Sequence, residues 1–309
     1  MALATNAHTV PRFYLSGFAS LGSEETPEPF VWVANIASGE IKKRAPKNVS
    51  LVRGFYDGPG GLEDTTASLE AHLSKIENAA ASAIKTFVAT PSASGAVVAA
   101  DVWRFLAWQA ARTPGCLDIV RQAVAEWDPN APEQLVEPPP DGFDRIKDNG
   151  RGMLVENPST GEQVTVSGVD DFKAYHRLGW RWVIASSDQL EMVHMQAWYF
   201  QARHFPRLSW TRLTAPEGEP FITSDRGVTW IVDGLADTPP AALRHHAAQV
   251  VAPLSQHVAL VGRHASQAGP LRVSPREVNR FIACSTSNWI AGPNKEVVEL
   301  GLRDRAETT

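Results

Sequence analysis

The run His8-Thr9-Val10-Pro11-Arg12-Phe13-Tyr14-Leu15-Ser16-Gly17-Phe18 constrains this chain more than any other stretch. Termini are usually polar and frayed. One that carries Phe13, Tyr14, Leu15 and Phe18 has to dock on the body of the protein, which brings His8 to the core or its edge. Pro11 drives Val10 toward an extended conformation and suits the first turn of a helix. A short helix is therefore predicted, with Tyr14 and Leu15 each meeting Phe18 on one face. His8 then precedes the helix start, where the dipole favours a neutral imidazole able to accept a proton or bind a metal. The plainer alternative is a ring that donates one hydrogen bond and anchors the terminus.

Behind this run, Pro29 to Ile36, a turn at Ala37-Ser38-Gly39 and the charged return Glu40-Ile41-Lys42-Lys43-Arg44 predict a β-hairpin. Lys42, Lys43 and Arg44, with Lys47, form the densest basic run, and on a short edge strand such charges guard against edge-to-edge pairing. From Thr66 to about Thr90, Leu69, Leu73, Ile76, Ala80, Ala83 and Phe87 recur at helical spacing. They predict one amphipathic helix, with Glu70 and Glu77 on one side near the edge of its stripe. Pro91 ends it. Ser92 or Ser94 is read as the cap of a second helix running to Arg112, and Cys116 to Trp127 as a third. Prolines and glycines crowd the segment from Asp128 to about Gly168, which reads as a loop-rich insertion or linker.

Further helices are read from Asp170 to His176 and from Ser186 to about Phe205. Five short β-branched runs then predict strands at Ser209–Thr214, Pro220–Ser224, Val228–Val232, Ala248–Ala252 and His257–Gly262. Ser274-Pro275-Arg276-Glu277 is a full capping box, opening a helix that contains Asn279 and ends before Asn288. The implied fold class is α+β: an N-terminal hairpin and C-terminal strands forming a sheet, with a central set of helices packed on it. One domain over residues 1–309 is expected, with the Pro/Gly-rich segment at about 128–168.

Charge and cysteine content exclude several classes. A net charge of -5 gives no overall attraction to a polyanion. Cys116 and Cys284 are the only cysteines, too few for a disulfide framework or a multi-cysteine zinc module, which fits a reducing compartment. The first residues lack the basic segment and apolar core of a secretory signal. No apolar run approaches the roughly 20 residues of a membrane span. The chain reads as soluble and cytoplasmic. Its ten tryptophans predict many deep apolar sites, most of them core.

Several stretches carry a resemblance. These are the opening run, Ala45-Pro46-Lys47-Asn48-Val49 followed by Phe55-Tyr56, Gln109-Ala110-Ala111-Arg112-Thr113-Pro114, Phe221-Ile222-Thr223-Ser224-Asp225, and Ala252-Pro253-Leu254-Ser255. Together they resemble the DUF4238 family of bacterial proteins, whose function is unassigned, so the resemblance implies no activity. In that family the aspartate is usually followed by asparagine and proline, whereas this chain has Arg226-Gly227. A basic residue there could pair with Asp225 or redirect a substrate.

The sequence has no Gly-x-Ser-x-Gly elbow, no phosphate-cradling Gly-rich loop, no dinucleotide fingerprint and no His-Glu-x-x-His. What remains is His8, Glu70 or Glu77, Gln109, Arg112, Asp225 and Asn288. If the opening run, the second long helix and the Asp225 strand converge, the set suits hydrolysis of a phosphoester or other anionic substrate. His8 would be base or metal ligand, Asp225 and Glu77 ligands or acid, and Arg112 a clamp on developing negative charge. Gln109 and Asn288 would bind substrate, and a divalent metal is the cofactor such a set could take. The other reading is a non-enzymatic binding or partner-interaction protein. There the same residues are a buried hydrogen-bonded network that fixes the fold, and the tryptophans form a cleft or interface. The partner and the oligomeric state are not legible.

Overall fold

The computed structural model describes residues 6–23, 26–53, 63–90, 98–113, 116, 153–166, 174–175, 177–182, 197, 204–232, 235–237, 249–264 and 273–307. The opening run begins as β1 (Asn6–His8) and turns at Pro11 into α1 (Arg12–Ser16). Pro11 is extended, so it sits outside the helix while its carbonyl accepts from the Leu15 N–H at 3.1 Å. Tyr14, Leu15 and Phe18 are all buried, and the Tyr14 and Phe18 rings lie 5.4 Å apart. The hairpin β2 (Val31–Asn35) and β3 (Ile41–Arg44) follows, then β4 (Leu51–Arg53), which pairs with β1.

Helix α2 (Glu63–Ala89) buries Leu73, Ile76 and Ala80 of the expected stripe, with Ile84 buried as well and Ala83 and Phe87 half-buried against the core. Helix α3 (Ala100–Ala111) is different. Val102 and every residue from Phe105 to Ala111 are buried, so it is enclosed on most of its circumference. The N-cap is Ala99, not Ser92 or Ser94. Asp101 in the first turn supplies the negative charge that the helix start prefers.

The Pro/Gly-rich segment is described from Met153 to Val166. It contains a hairpin, β5 (Met153–Glu156) and β6 (Gln163–Val166), joined through Gly161 at positive φ and flanked by β7 (Arg181–Trp182). Pro158 and Gly161 lie in the turn of this hairpin. Most of the helices read from Cys116 to Trp127, from Ser186 to Phe205 and from Asp170 to His176 lies outside the described residues.

Strands β8 (Leu208–Thr214), β9 (Thr223–Ser224), β10 (Thr229–Val232), β11 (Leu235–Asp237), β12 (Gln249–Pro253) and β13 (Val258–His264) precede α4 (Pro275–Ser285), β14 (Trp289–Gly292) and α5 (Lys295–Ala306). The class is α+β, with the strands distributed among separate antiparallel sheets. The hairpin lies in a four-stranded sheet of order β3-β2-β14-β9, while the other C-terminal strands form a five-stranded sheet of order β11-β10-β12-β13-β8. β14 inserts beside β2 because all four of its residues are apolar or glycine and buried on both faces. Helix α5 covers β14 and β2, and α4 covers β9, β10 and β11.

Caps satisfy the helix ends. The expected capping box forms at α4, with Ser274 Oγ accepting from the Glu277 N–H at 3.3 Å and Glu277 Oε2 accepting from the Ser274 N–H at 2.7 Å. At the other end of a helix, the Arg212 guanidinium donates to the carbonyls of Phe87 at 2.6 Å, Val88 at 3.1 Å and Thr90 at 2.5 Å. It satisfies the orphan acceptors of α2 and complements its negative end. Trp108, Trp230 and Trp289 are core residues. Among the described residues no helix is long and apolar enough to cross a membrane.

His204 sits beside this aromatic packing, its ring 5.7 Å from that of Phe205. Burial, reinforced by the positive charges of His264 and Arg207, pulls its pKa down to about 4. An unfolded chain protonates the same imidazole near 6.5, so the native state binds fewer protons between those values. The resulting stability is complete above about pH 6.5 and is lost as pH falls toward about 4. The expected loss is about 3 kcal/mol, measured as urea unfolding free energy against pH. His204→Gln is expected to flatten that slope, and an unchanged slope would contradict the assignment.

Candidate functional site

Gln109 is the meeting point of three segments. It sits on the last turn of α3, wholly buried, and its Nε2 donates to the Thr9 carbonyl of the opening run at 3.0 Å. Gly227, after β9, packs against its stem: a Cβ at Gly227 would come within 3.0 Å of Gln109 Cγ. The φ of Gly227 is +68°, which a side chain resists and a proline, fixed near -65°, cannot adopt. In this chain the Arg226-Gly227 turn therefore follows a path closed to a proline at position 227.

One helical turn beyond Gln109, the side chain of Arg112 folds back onto it. Nε and Nη2 donate to Gln109 Oε1 at 3.2 and 2.9 Å, and Nη1 donates to Glu77 Oε1 of α2 at 2.7 Å. Arg112 is 1% exposed, whereas the Glu77 side chain is 29% exposed, so the pair reaches the surface only through its carboxylate. The Glu70 side chain lies outside the described residues.

Asp225 forms a second set. It is buried at the end of β9, where Oδ1 accepts from the Ser287 N–H at 3.2 Å and Oδ2 from the Asn288 N–H and Nδ2, both at 2.9 Å. Burial raises its pKa, opposed by those three hydrogen bonds and by Arg226. Asn288 thus faces Asp225. His8 belongs to a third set: it ends β1, and its Nε2 lies 3.1 Å from the Lys47 carbonyl, a contact made by the tautomer with its proton on Nε2. Among the described residues, the hydrogen bonds of His8, of Arg112 with Gln109 and Glu77, and of Asp225 with Asn288 are separate. The three segments converge, and their polar ends point to different partners.

The Tyr14 hydroxyl completes the junction, donating to the Pro253 carbonyl at 2.6 Å with the Gly227 carbonyl at 3.3 Å and Thr223 Oγ1 at 3.2 Å. Burial raises its pKa far above the phenol range. Burial likewise pushes the Cys116 thiol up to about 12 even though the Arg226 charge acts against it, which keeps it protonated at neutral pH. Among the described residues no three or more His, Cys, Asp or Glu gather as a metal site.

A family model described as a protein of unknown function (DUF4238) matches residues 6–295 of the 309. The chain belongs to the DUF4238 family. No curated protein and no solved structure matches it. The DUF4238 match runs from β1 to the first residue of α5 and so takes in every residue of the three polar sets. Sequence reasoning passed over the DUF4238 chain's Tyr14 hydroxyl, the Thr9 carbonyl and the Ser287 N–H. Backbone partners carry no signature in side-chain identity. Tyr14 could have been found from its place among apolar neighbours, because a buried phenol needs a partner.

Proposed function

We propose that this DUF4238 protein acts by binding a partner, with the polar residues of its motifs serving as a buried network that fixes the binding surface. The observation that carries this reading is the state of Arg112. A clamp for developing negative charge must present its guanidinium to a substrate, and here that group is 1% exposed, already neutralised by Glu77 and bonded through three of its nitrogens. Asp225 supports it in the same way, since both carboxylate oxygens accept from the Ser287-Asn288 segment. A cytosolic location goes with this reading, supported by both cysteines being free thiols.

The test pairs turnover with stability. Purified protein is offered chromogenic phosphomonoesters and phosphodiesters with magnesium, manganese or zinc. The expected result is no hydrolysis above the metal control, together with lowered unfolding free energy in Arg112→Lys and Asn288→Ala. Metal-dependent hydrolysis that Asn288→Ala abolishes without moving the unfolding midpoint would overturn the reading in favour of a hydrolase.

A further inference from the structure

We infer that the outer edge of β3 is a docking edge for an extended acidic peptide, an inference that rests on the binding reading above and names its surface. Among the described strands β3 closes one side of its sheet, paired only with β2. The Asn35 N–H donates to the Glu40 carbonyl at 2.9 Å, which fixes the alternation of the hairpin. By that alternation Lys42 and Arg44 turn their backbone groups to β2, and Ile41 and Lys43 turn theirs outward. Those outward groups are what an added strand bonds to.

The side chains select its charge. Lys42, Lys43 and Arg44 are all exposed. Lys42 pairs with Glu40 at 2.6 Å and Lys47 with Glu28 at 3.6 Å, while Lys43 and Arg44 have no carboxylate partner among the described residues. Successive residues of a strand face opposite ways, so Lys43 and Arg44 offer positive charge on both faces of the edge. The charges that repel the edge of a second copy attract an acidic one. A single-stranded nucleic acid fits less well. Its bases would need the half-buried faces of Phe30 and Trp32, and Lys43 Nζ already stands over those rings, 4.6 and 5.1 Å from their centres.

The probe is a fluorescent peptide about eight residues long that alternates glutamate with threonine or valine, titrated into the full chain by anisotropy. Saturable binding is expected. It should weaken roughly 10-fold or more in the double variant Lys43→Glu/Arg44→Glu, and by a similar factor when alternate peptide amides are N-methylated. Both substitutions are on exposed edge side chains, so an unchanged unfolding midpoint serves as the control for folding. Failure to saturate, binding indifferent to the double variant, or equal binding of the N-methylated peptide each overturns the proposal. So does an oligothymidylate that binds more tightly with the same variant sensitivity. Phosphoester turnover would sink the binding reading itself, whereas a failed titration in a protein without turnover sinks only the β3 edge.

Discussion

Replacing Glu77 by leucine is expected to destabilise the protein by about 3–5 kcal/mol, more than replacing Arg112 by methionine, at about 2–3 kcal/mol. The order runs against burial, because Arg112 is the more enclosed partner. The reason is what each substitution leaves behind. Glu77→Leu strands a guanidinium in the interior with, among the described residues, only the Gln109 amide oxygen to accept from it. Arg112→Met leaves a carboxylate that water can still reach, and methionine fills much of the vacated volume. Urea unfolding of both variants and of Glu77→Leu/Arg112→Met checks the claim, the double variant losing less than the sum of the singles. If Arg112→Met were the worse of the two, the guanidinium would matter chiefly as packing or as a partner for Gln109, and the ion pair would not govern the site.

Asp225→Ala is expected to cost about 3 kcal/mol, because three donors lose their acceptor at once: the Ser287 N–H, the Asn288 N–H and the Asn288 side-chain amide. Asp225→Asn keeps one acceptor oxygen but turns an NH2 group toward a donor, so an intermediate loss is expected. Removal of a catalytic acid commonly leaves stability unchanged or raised. A gain in unfolding free energy for Asp225→Ala would therefore contradict the structural role assigned to this carboxylate and return it to the list of reactive groups.

What the sequence shows directly is whatever repeats or caps locally. The stripe from Leu73 to Ala80 marks α2, the turn at Ala37-Ser38-Gly39 marks the hairpin, and Ser274 with Glu277 marks the start of α4. Helix α5 was equally open to this kind of reading, since Asn294 caps it, Glu296 stands in its first turn and Arg303 and Arg305 in its last. The allocation of strands was not. Trp289 to Gly292 is a short apolar run that could enter either sheet by residue type alone, and α5 packs on it together with β2. The polar partners are the least visible. Gln109 and Arg112 are one helical turn apart and could be paired by spacing, but Glu77 reaches Arg112 across 35 positions and Asp225 meets Asn288 across 63. Nothing in residue type distinguishes a glutamate bound for a buried arginine from one bound for solvent. The choice is made by the packing of α2 against α3.

The central claim is that the polar motif residues build the opening run into the body of the protein, and native-state amide exchange on that run tests it most directly. The N–H groups of Thr9, Leu15, Gly17 and Phe18 donate to Ser50, Pro11, Tyr14 and Leu15. They are expected to exchange only as slowly as those of β12 and β13, through unfolding of the whole structure, and Gln109→Leu is expected to speed them selectively. Exchange of these amides at the rate of a frayed terminus in the wild-type protein would contradict the account.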